Sequence, residues 1–253
     1  MQDSFAIYTE DLVKKYKGKS NPTLNGLNLK IPRGSLYGIL APNGAGKTTT
    51  IDILCGLKKF DSGRVLIDGL EVPSNLGEIK KIIGLVPQEI ALFPMLTGRE
   101  NLRIIGGMYG VEGGVLNQRV TELLARFGLE NSADRPLTHY SGGMKRRINL
   151  LAGLLHKPKI LILDEPTVGV DAQSRNLILE ELIKLNREGT TVLFISHYLE
   201  EAECICNIVG LMDGGKIVLE GNPVELGKSN PECKNLEALY FKLTGKQMRD
   251  TYE

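Results

Sequence analysis

The chain has 253 residues, 42% hydrophobic and 24% charged, with a formal net charge of +1. That length can bury one sizeable core, and charge spread evenly in both signs leaves no electrostatic footprint for nucleic acid or a membrane surface. The longest apolar runs, KILILDE and TTVLFIS, fall far short of the roughly 20 residues that cross a bilayer, and MQDSFAIYTED lacks a signal-peptide pattern, so a soluble intracellular chain is expected.

In chain order, SFAIYTEDLVKKY and TLNGLNLKIPRG read as strands joined by polar turn residues, a small antiparallel sheet. SLYGILA follows as a buried strand, GKTTTIDILCGL as a helix, and GRVLIDG and KIIGLVP as further strands. From Gln88 to about Lys157 the strand signal vanishes. There NLRIIGGMYG follows a capping box at Thr97 and Glu100, VLNQRVTELLARFGL ends at Gly128, and SGGMKRRINLLAGLL makes a third helix. KILILD, TTVLFIS, NIVGLMD and KIVLEG resume the sheet, with a crossover helix from Asp171 to Glu188. This alternation specifies an α/β fold with a mostly parallel sheet, an N-terminal antiparallel β-subdomain and an inserted helical subdomain. The expected layout is one domain over 1–253. Its parts are 1–87 (antiparallel sheet and first part of the core), 88–157 (helical), 158–225 (rest of the core) and 226–253 (helical tail). The cysteines Cys55, Cys204, Cys206 and Cys233 form no C-x-x-C pair and read as small buried hydrophobes.

LAPNGAGKTTT nearly spells the phosphate-binding pattern G-x-x-x-x-G-K-[ST], with Ala41 at the first glycine. A glycine-rich turn between strand and helix points successive N–H groups at one anion, and the helix N-terminus adds partial positive charge. Asn43, Gly44, Ala45, Gly46, Lys47, Thr48 and Thr49 can form that cradle, with the Lys47 ammonium on the β and γ phosphates and the Thr48 hydroxyl on Mg²⁺. Alanine at 41 costs almost nothing at negative φ and about 1–2 kcal/mol at positive φ; negative φ is expected. KILILDEP ends a buried strand in Asp164 and Glu165, at the carboxyl end where open α/β sheets bind ligands. Asp164 can hold Mg²⁺, and Glu165 can orient or deprotonate the water that attacks the γ phosphate. YSGGM places Ser141, Gly142 and Gly143 at a helix start, where serine is a good cap and the glycines admit an anion. Each element alone has a plainer reading as a packing turn, a strand-to-loop junction or a capped surface helix.

Together, in this order, they resemble the ATP-binding-cassette (ABC) ATPases, whose signature LSGGQ precedes an Asp-Glu strand by a similar interval. The resemblance spans essentially the whole chain and implies a P-loop NTPase core. It implies that Tyr16 stacks on adenine with modest base preference, that Gln88 senses Mg²⁺ and γ phosphate, and that His197 contacts γ phosphate. Catalysis would then fall to Glu165, His197, Gln88 and Lys47, and the magnesium ligands to Thr48, Gln88 and Asp164. It further implies two cassettes, a homodimer being the simplest case, sandwiching two ATP head to tail. Ser141, Gly142, Gly143 and Asp171 of one copy would face nucleotide held by the other.

Met144 replaces the signature glutamine, Tyr140 the usual leucine and Val170 a common leucine. Arg147 matches a frequent family arginine, while Lys145 and Arg146 read as a solvated face. ALFPMLTGRENLRIIGGMYGV, the SGGM signature and the tail LEALYFKLTGKQMRD resemble bacterial exporter ATPases for drugs or polysaccharides. The implied partners are separate integral membrane permease subunits, docked near Gln88 and the inserted helices, which would hold the chain peripherally at the cytoplasmic face of the cell membrane. A soluble cassette ATPase acting on nucleic acid or ribosomes is the alternative, but its usual second cassette, long coiled coil or basic extension is missing, and no nucleic-acid partner is expected. A regulatory module without useful turnover is a third reading, disfavoured by Glu165 and His197.

Overall fold

The computed structural model describes residues 4–245. β1 (Phe5–Lys14) and β2 (Leu24–Pro32) form an antiparallel ribbon whose register shifts between Thr9 and Leu12, where Asp11 adopts a φ of 44°. β3 (Leu36–Leu40) leads into α1 (Lys47–Leu54). β4 (Ser62–Ile67) and the two-residue β5 (Leu70–Glu71) return to the ribbon, giving a sheet of order β2-β1-β4-β5. After α2 (Leu76–Ile82) and β6 (Ile83–Val86), the chain becomes helical through α3 (Gly98–Met108), α4 (Gly113–Arg126) and α5 (Gly142–Leu154). It then alternates through β7 (Ile160–Asp164), α6 (Ala172–Arg187), β8 (Thr191–Ser196), α7 (Leu199–Ile205), β9 (Ile208–Asp213) and β10 (Lys216–Gly221). Two further helices follow, α8 (Pro223–Ser229) and α9 (Leu236–Thr244).

The second sheet has the order β10-β9-β3-β8-β7-β6, parallel throughout except for β10. Its parallel strands are buried on both faces, β10 at the edge being partly exposed, and alternation of side chains sorts them into two cores. Leu36, Leu40, Leu161, Leu163, Val192 and Phe194 point to the core shared with α5, α6 and the helical segment. Tyr37, Ile39, Ile160, Ile162, Leu193 and Ile195 point to the other, shared with α1 and the antiparallel sheet. The α/β class and the antiparallel N-terminal sheet expected from sequence are therefore present.

Local signals account for the ends of the helices. Thr97 and Glu100 form the reciprocal capping box of α3, and Asp171 caps α6 through the Ser174 N–H at 2.9 Å. Tyr140, in place of leucine, is buried beside Gly98 and donates its hydroxyl to the Ser132 carbonyl at 2.6 Å. Arg126 ties α4 to the core by bonding Glu181 of α6 and by lying 3.0 Å from Glu188.

Three details differ from expectation. Lys81 and Ile82 of KIIGLVP end α2, and the strand starts at Ile83; a seven-residue helix with no side-chain cap is too short to show a period. Cys204 is exposed, because α7 turns Leu199, Ala202 and Ile205 inward and position 204 outward; Cys233 is only partly covered. The helical tail begins at Pro223, and the final part of LEALYFKLTGKQMRD, from 246 on, lies outside the described residues.

A Cβ on Gly84 of β6 would meet the Gly153 carbonyl of α5, Pro158 Cγ at 2.8 Å and Leu161 Cδ1 at 3.1 Å. Overpacking of this kind costs about 1–3 kcal/mol. Gly84→Ala should therefore lower the thermal midpoint by roughly 3–10 °C in calorimetry, while Gly107→Ala, with open space around it, should not lower it.

Candidate functional site

The loop between β3 and α1 reaches the carboxyl edge of the parallel sheet. Gly44 and Gly46 take φ values of 78° and 110°, and a Cβ at Gly46 would meet Leu24 Cδ2 at 2.8 Å and the Thr23 carbonyl at 3.0 Å, so only glycine fits there. Gly46 supplies no side-chain cap to α1, whose first-turn N–H groups have no intrahelical acceptors. Ala41 is buried and is not among the residues with positive φ, so its departure from glycine carries no backbone strain. Lys47 is 7% exposed; its Nζ donates to the Ala41 carbonyl at 2.8 Å and lies 3.2 Å from Glu165 Oε1. Thr48 is exposed beside it. Tyr16 is half-buried, with its hydroxyl 3.2 Å from Thr49 Oγ1 and the ammonium groups of Lys14, Lys19 and Lys58 at 5.6–6.0 Å from its ring centroid.

β7 delivers two carboxylates to the same edge. Asp164 pairs with Ile195 of β8, and the Glu165 N–H donates to the Ile195 carbonyl at 2.8 Å. Glu165 has a φ of 48°, an arrangement that costs a non-glycine residue of order 1–3 kcal/mol and concentrates at functional sites. His197 follows β8, with Nδ1 3.2 Å from Glu165 Oε2 but outside hydrogen-bond alignment. Burial pushes the Asp164 carboxyl up to about 6; neighbouring Glu165 adds to the rise, while Lys47 and Arg146 oppose it.

Arg146 corrects the sequence expectation of a solvated cation: it is 3% exposed. Its Nε donates to the Pro166 carbonyl at 2.9 Å, Nη1 to those of Pro87 at 3.1 Å and Gln88 at 2.7 Å, and Nη2 to those of Asp164 at 3.4 Å and Glu165. Burial lowers its pKa, with Asp164 and Glu165 pulling the other way. Its interest was hidden in the run KRR, since five carbonyl acceptors from distant segments leave no local trace. Gln88 itself has an exposed side chain. Glu201 of α7 was also missed: 7% exposed, it accepts the Thr167 hydroxyl at 2.6 Å and faces Arg175 at 3.4 Å, joining the segments after Glu165 and His197.

Ser141 and Asp171 share an exposed hollow with Met144, Arg147 and Ser174, and this hollow does not include the Lys47 loop. Ser141 Oγ accepts the Met144 N–H at 3.2 Å, and Gly142 is exposed. A Cβ on Gly143 would meet Ser174 Oγ and, at 2.8 Å, Asp171 Oδ2, so glycine permits the close approach of α5 and α6. The Asp171 carboxyl is held below its ordinary range by the Ser174 backbone N–H and hydroxyl.

These residues fit a magnesium nucleoside triphosphate. An uncapped helix start and a buried ammonium suit phosphate. A hydroxyl, an amide and a buried carboxylate with raised pKa are hard oxygen donors that suit a cation shared with phosphate oxygens.

The ABC transporter family model matches residues 24–168. The linearmycin resistance ATP-binding protein of Bacillus subtilis (strain 168) is 45% identical over 85% of this chain and 68% of its own length. A Nod factor export ATP-binding protein I of Cupriavidus pinatubonensis is 41% identical over 85% of this chain and 66% of its own. Among solved structures, a dimeric ATP-binding cassette in a post-hydrolysis state with ADP and Pi superposes with a TM-score of 0.77 at 28% identity, over 85% of this chain and 98% of that one.

The raised Asp164 pKa fixes the sign of a pH effect. The folded chain holds this proton more tightly than the unfolded chain, so stability falls as pH rises from 3.8 through about 6, and the full cost persists above that. Asp164→Asn should raise the thermal midpoint without nucleotide or magnesium at pH 7.5, by several degrees or about 1–3 kcal/mol, and leave it nearly unchanged near pH 4. Differential scanning calorimetry at both pH values checks this.

Proposed function

This chain belongs to the ABC transporter family, and we infer that it is the ATP-hydrolysing subunit of an exporter, working as a head-to-tail dimer beneath separate membrane subunits. The observation that carries the reading is the convergence of Lys47, Asp164, Glu165 and His197 at the carboxyl ends of the adjacent strands β3, β8 and β7.

In this reading the N–H groups at the start of α1 and the Lys47 ammonium bind the β and γ phosphates, and Tyr16 offers its ring to the base. Stacking of that kind is worth about 1–3 kcal/mol and discriminates bases poorly. Thr48, Asp164 and Gln88 would hold magnesium, which would supply neutralisation of phosphate charge. Glu165 orients the attacking water and takes its proton. His197, close to the second Glu165 oxygen, donates toward the γ phosphate. Ser141 and Asp171 lie in a hollow that does not include the Lys47 loop, and in this reading they serve, with Gly142 and Gly143, the partner copy's nucleotide. Loss of the γ phosphate removes charge-assisted bonds across the interface and reopens the dimer.

The membrane-subunit surface follows from exposed apolar groups next to Gln88. Ile90, Phe93, Met95, Ile104 and Met108 are all exposed, Met95 and Met108 by 79% and 75%. Of these, Ile90 lines a hollow with Gln88, and Phe93 and Met95 follow it in the chain, so in this proposal a partner seated on the exposed apolar groups of the helical segment reaches the site through Gln88. No described helix is long and apolar enough to cross a membrane; in this proposal the spanning subunits are separate chains. The names of the relatives, resistance to linearmycin and export of Nod factor, support export as the direction. The layout of 1–87, 88–157, 158–225 and 226–253 as core, signature lobe, core and tail belongs to the same proposal.

Glu165→Gln should retain ATP binding, cut phosphate release at least about 100-fold, and accumulate an ATP-bound dimer in size-exclusion chromatography; normal turnover would refute the base assignment. Phe93→Asp with Met95→Asp should abolish copurification with a multi-span protein from solubilised membranes while the purified chain keeps its ATPase rate. Recovery of ribosomal or DNA-associated proteins with the unaltered chain, and no membrane subunit, would favour the soluble alternative.

A further inference from the structure

Arg146 stands in the first half of α5, five positions after Ser141, and among the described residues it bonds main-chain carbonyls only. Those carbonyls belong to two segments remote from each other in sequence: Pro87 and Gln88 after β6, and Asp164 to Pro166 after β7. What the guanidinium fixes is therefore the path of both backbones. Glu165 is gripped on both sides, its N–H by the Ile195 carbonyl and its carbonyl by Arg146, which holds its left-handed conformation and aims its side chain at Lys47 and His197. Gly142, Gln88 and Arg146 also line one hollow of about 370 Å³ with Val168 and Gly169.

A guanidinium presents its donors as a rigid planar fork. A small displacement of the α5 first turn therefore misaligns several of these bonds together, and a helix transmits such a displacement over five residues, about 7.5 Å, nearly unchanged.

We propose that Arg146 is a positioning residue that links the two nucleotide sites: anion engagement at Ser141 and Gly142 sets the position of Glu165 and Gln88 in the same chain. Each site is then aligned for hydrolysis by occupancy of the other. The inference rests on the head-to-tail dimer proposed above.

The test uses the full chain with Arg146→Lys, which keeps the charge but loses the fork, and Arg146→Gln, which loses both. Binding of a fluorescent ATP analogue should stay within about twofold of wild type, because no phosphate-contacting group changes. Hydrolysis should fall at least tenfold, and the Hill coefficient for ATP should drop from about 2, the number of sites, toward 1. Loss of packing alone would lower the thermal midpoint and the rate without changing that coefficient. A coefficient unchanged in both variants, or equal to 1 in the wild type, overturns the inference. Glu165→Gln run in parallel separates the two levels: no ATP-dependent dimer there overturns the head-to-tail reading and this inference with it. A dimer with unchanged cooperativity in the Arg146 variants overturns this inference alone. If Arg146→Gln does not fold, Arg146→Lys carries the same readout.

Discussion

The buried pairing of the Lys47 ammonium with the Glu165 carboxylate is the constraint from which the site follows. Each charge is nearly cut off from water, and an unpartnered charge at that depth would cost about 3–5 kcal/mol. The two come from β3 and β7, with β8 between them contributing His197. Three strand ends must therefore finish at one level. The register that achieves this comes from the two cores: a one-residue slip of β7 would exchange Ile160 and Ile162 with Leu161 and Leu163 and turn Asp164 to the wrong side. Packing far from the site thus sets the chemistry at its centre.

The same pairing explains why a strained backbone is retained. Glu165 would relax from its φ of 48° by swinging its side chain away from Lys47, which would strand both charges. The hydrogen bonds to Ile195 and Arg146 hold the peptide on either side. The sheet, α5 and the Glu165 carboxylate are consequently one mechanical unit, whereas Ser141 and Asp171 form a separate exposed surface joined to it through α5 and α6.

What the sequence disclosed was what is local in the chain. The glycines of the Lys47 loop, the carboxylates closing β7, the capping box of α3 and the Asp171 cap all lie within a few residues of the feature they make. The departure at Ala41 was resolvable too, because the groups that would touch phosphate lie after it. Arg146 and Glu201 escaped for the opposite reason. Arg146, in a basic run, reads as solvated and Glu201, in an acidic one, carries no signal; only the meeting of β6, β7 and α7 ends encloses them. The short α2 escaped because seven residues without a cap show no period, and Cys204 because burial depends on which face of α7 meets the core.

The proposed docking patch has its two most protruding apolar groups in Met95 and Met108. An unbranched thioether reshapes itself to whatever surface it meets and tolerates irregular fit. A partner's contact helix can thus change residue by residue without losing its seat, and the nucleotide machinery need not change in step. One engine of this kind can be inherited alongside permeases that diverge freely in cargo.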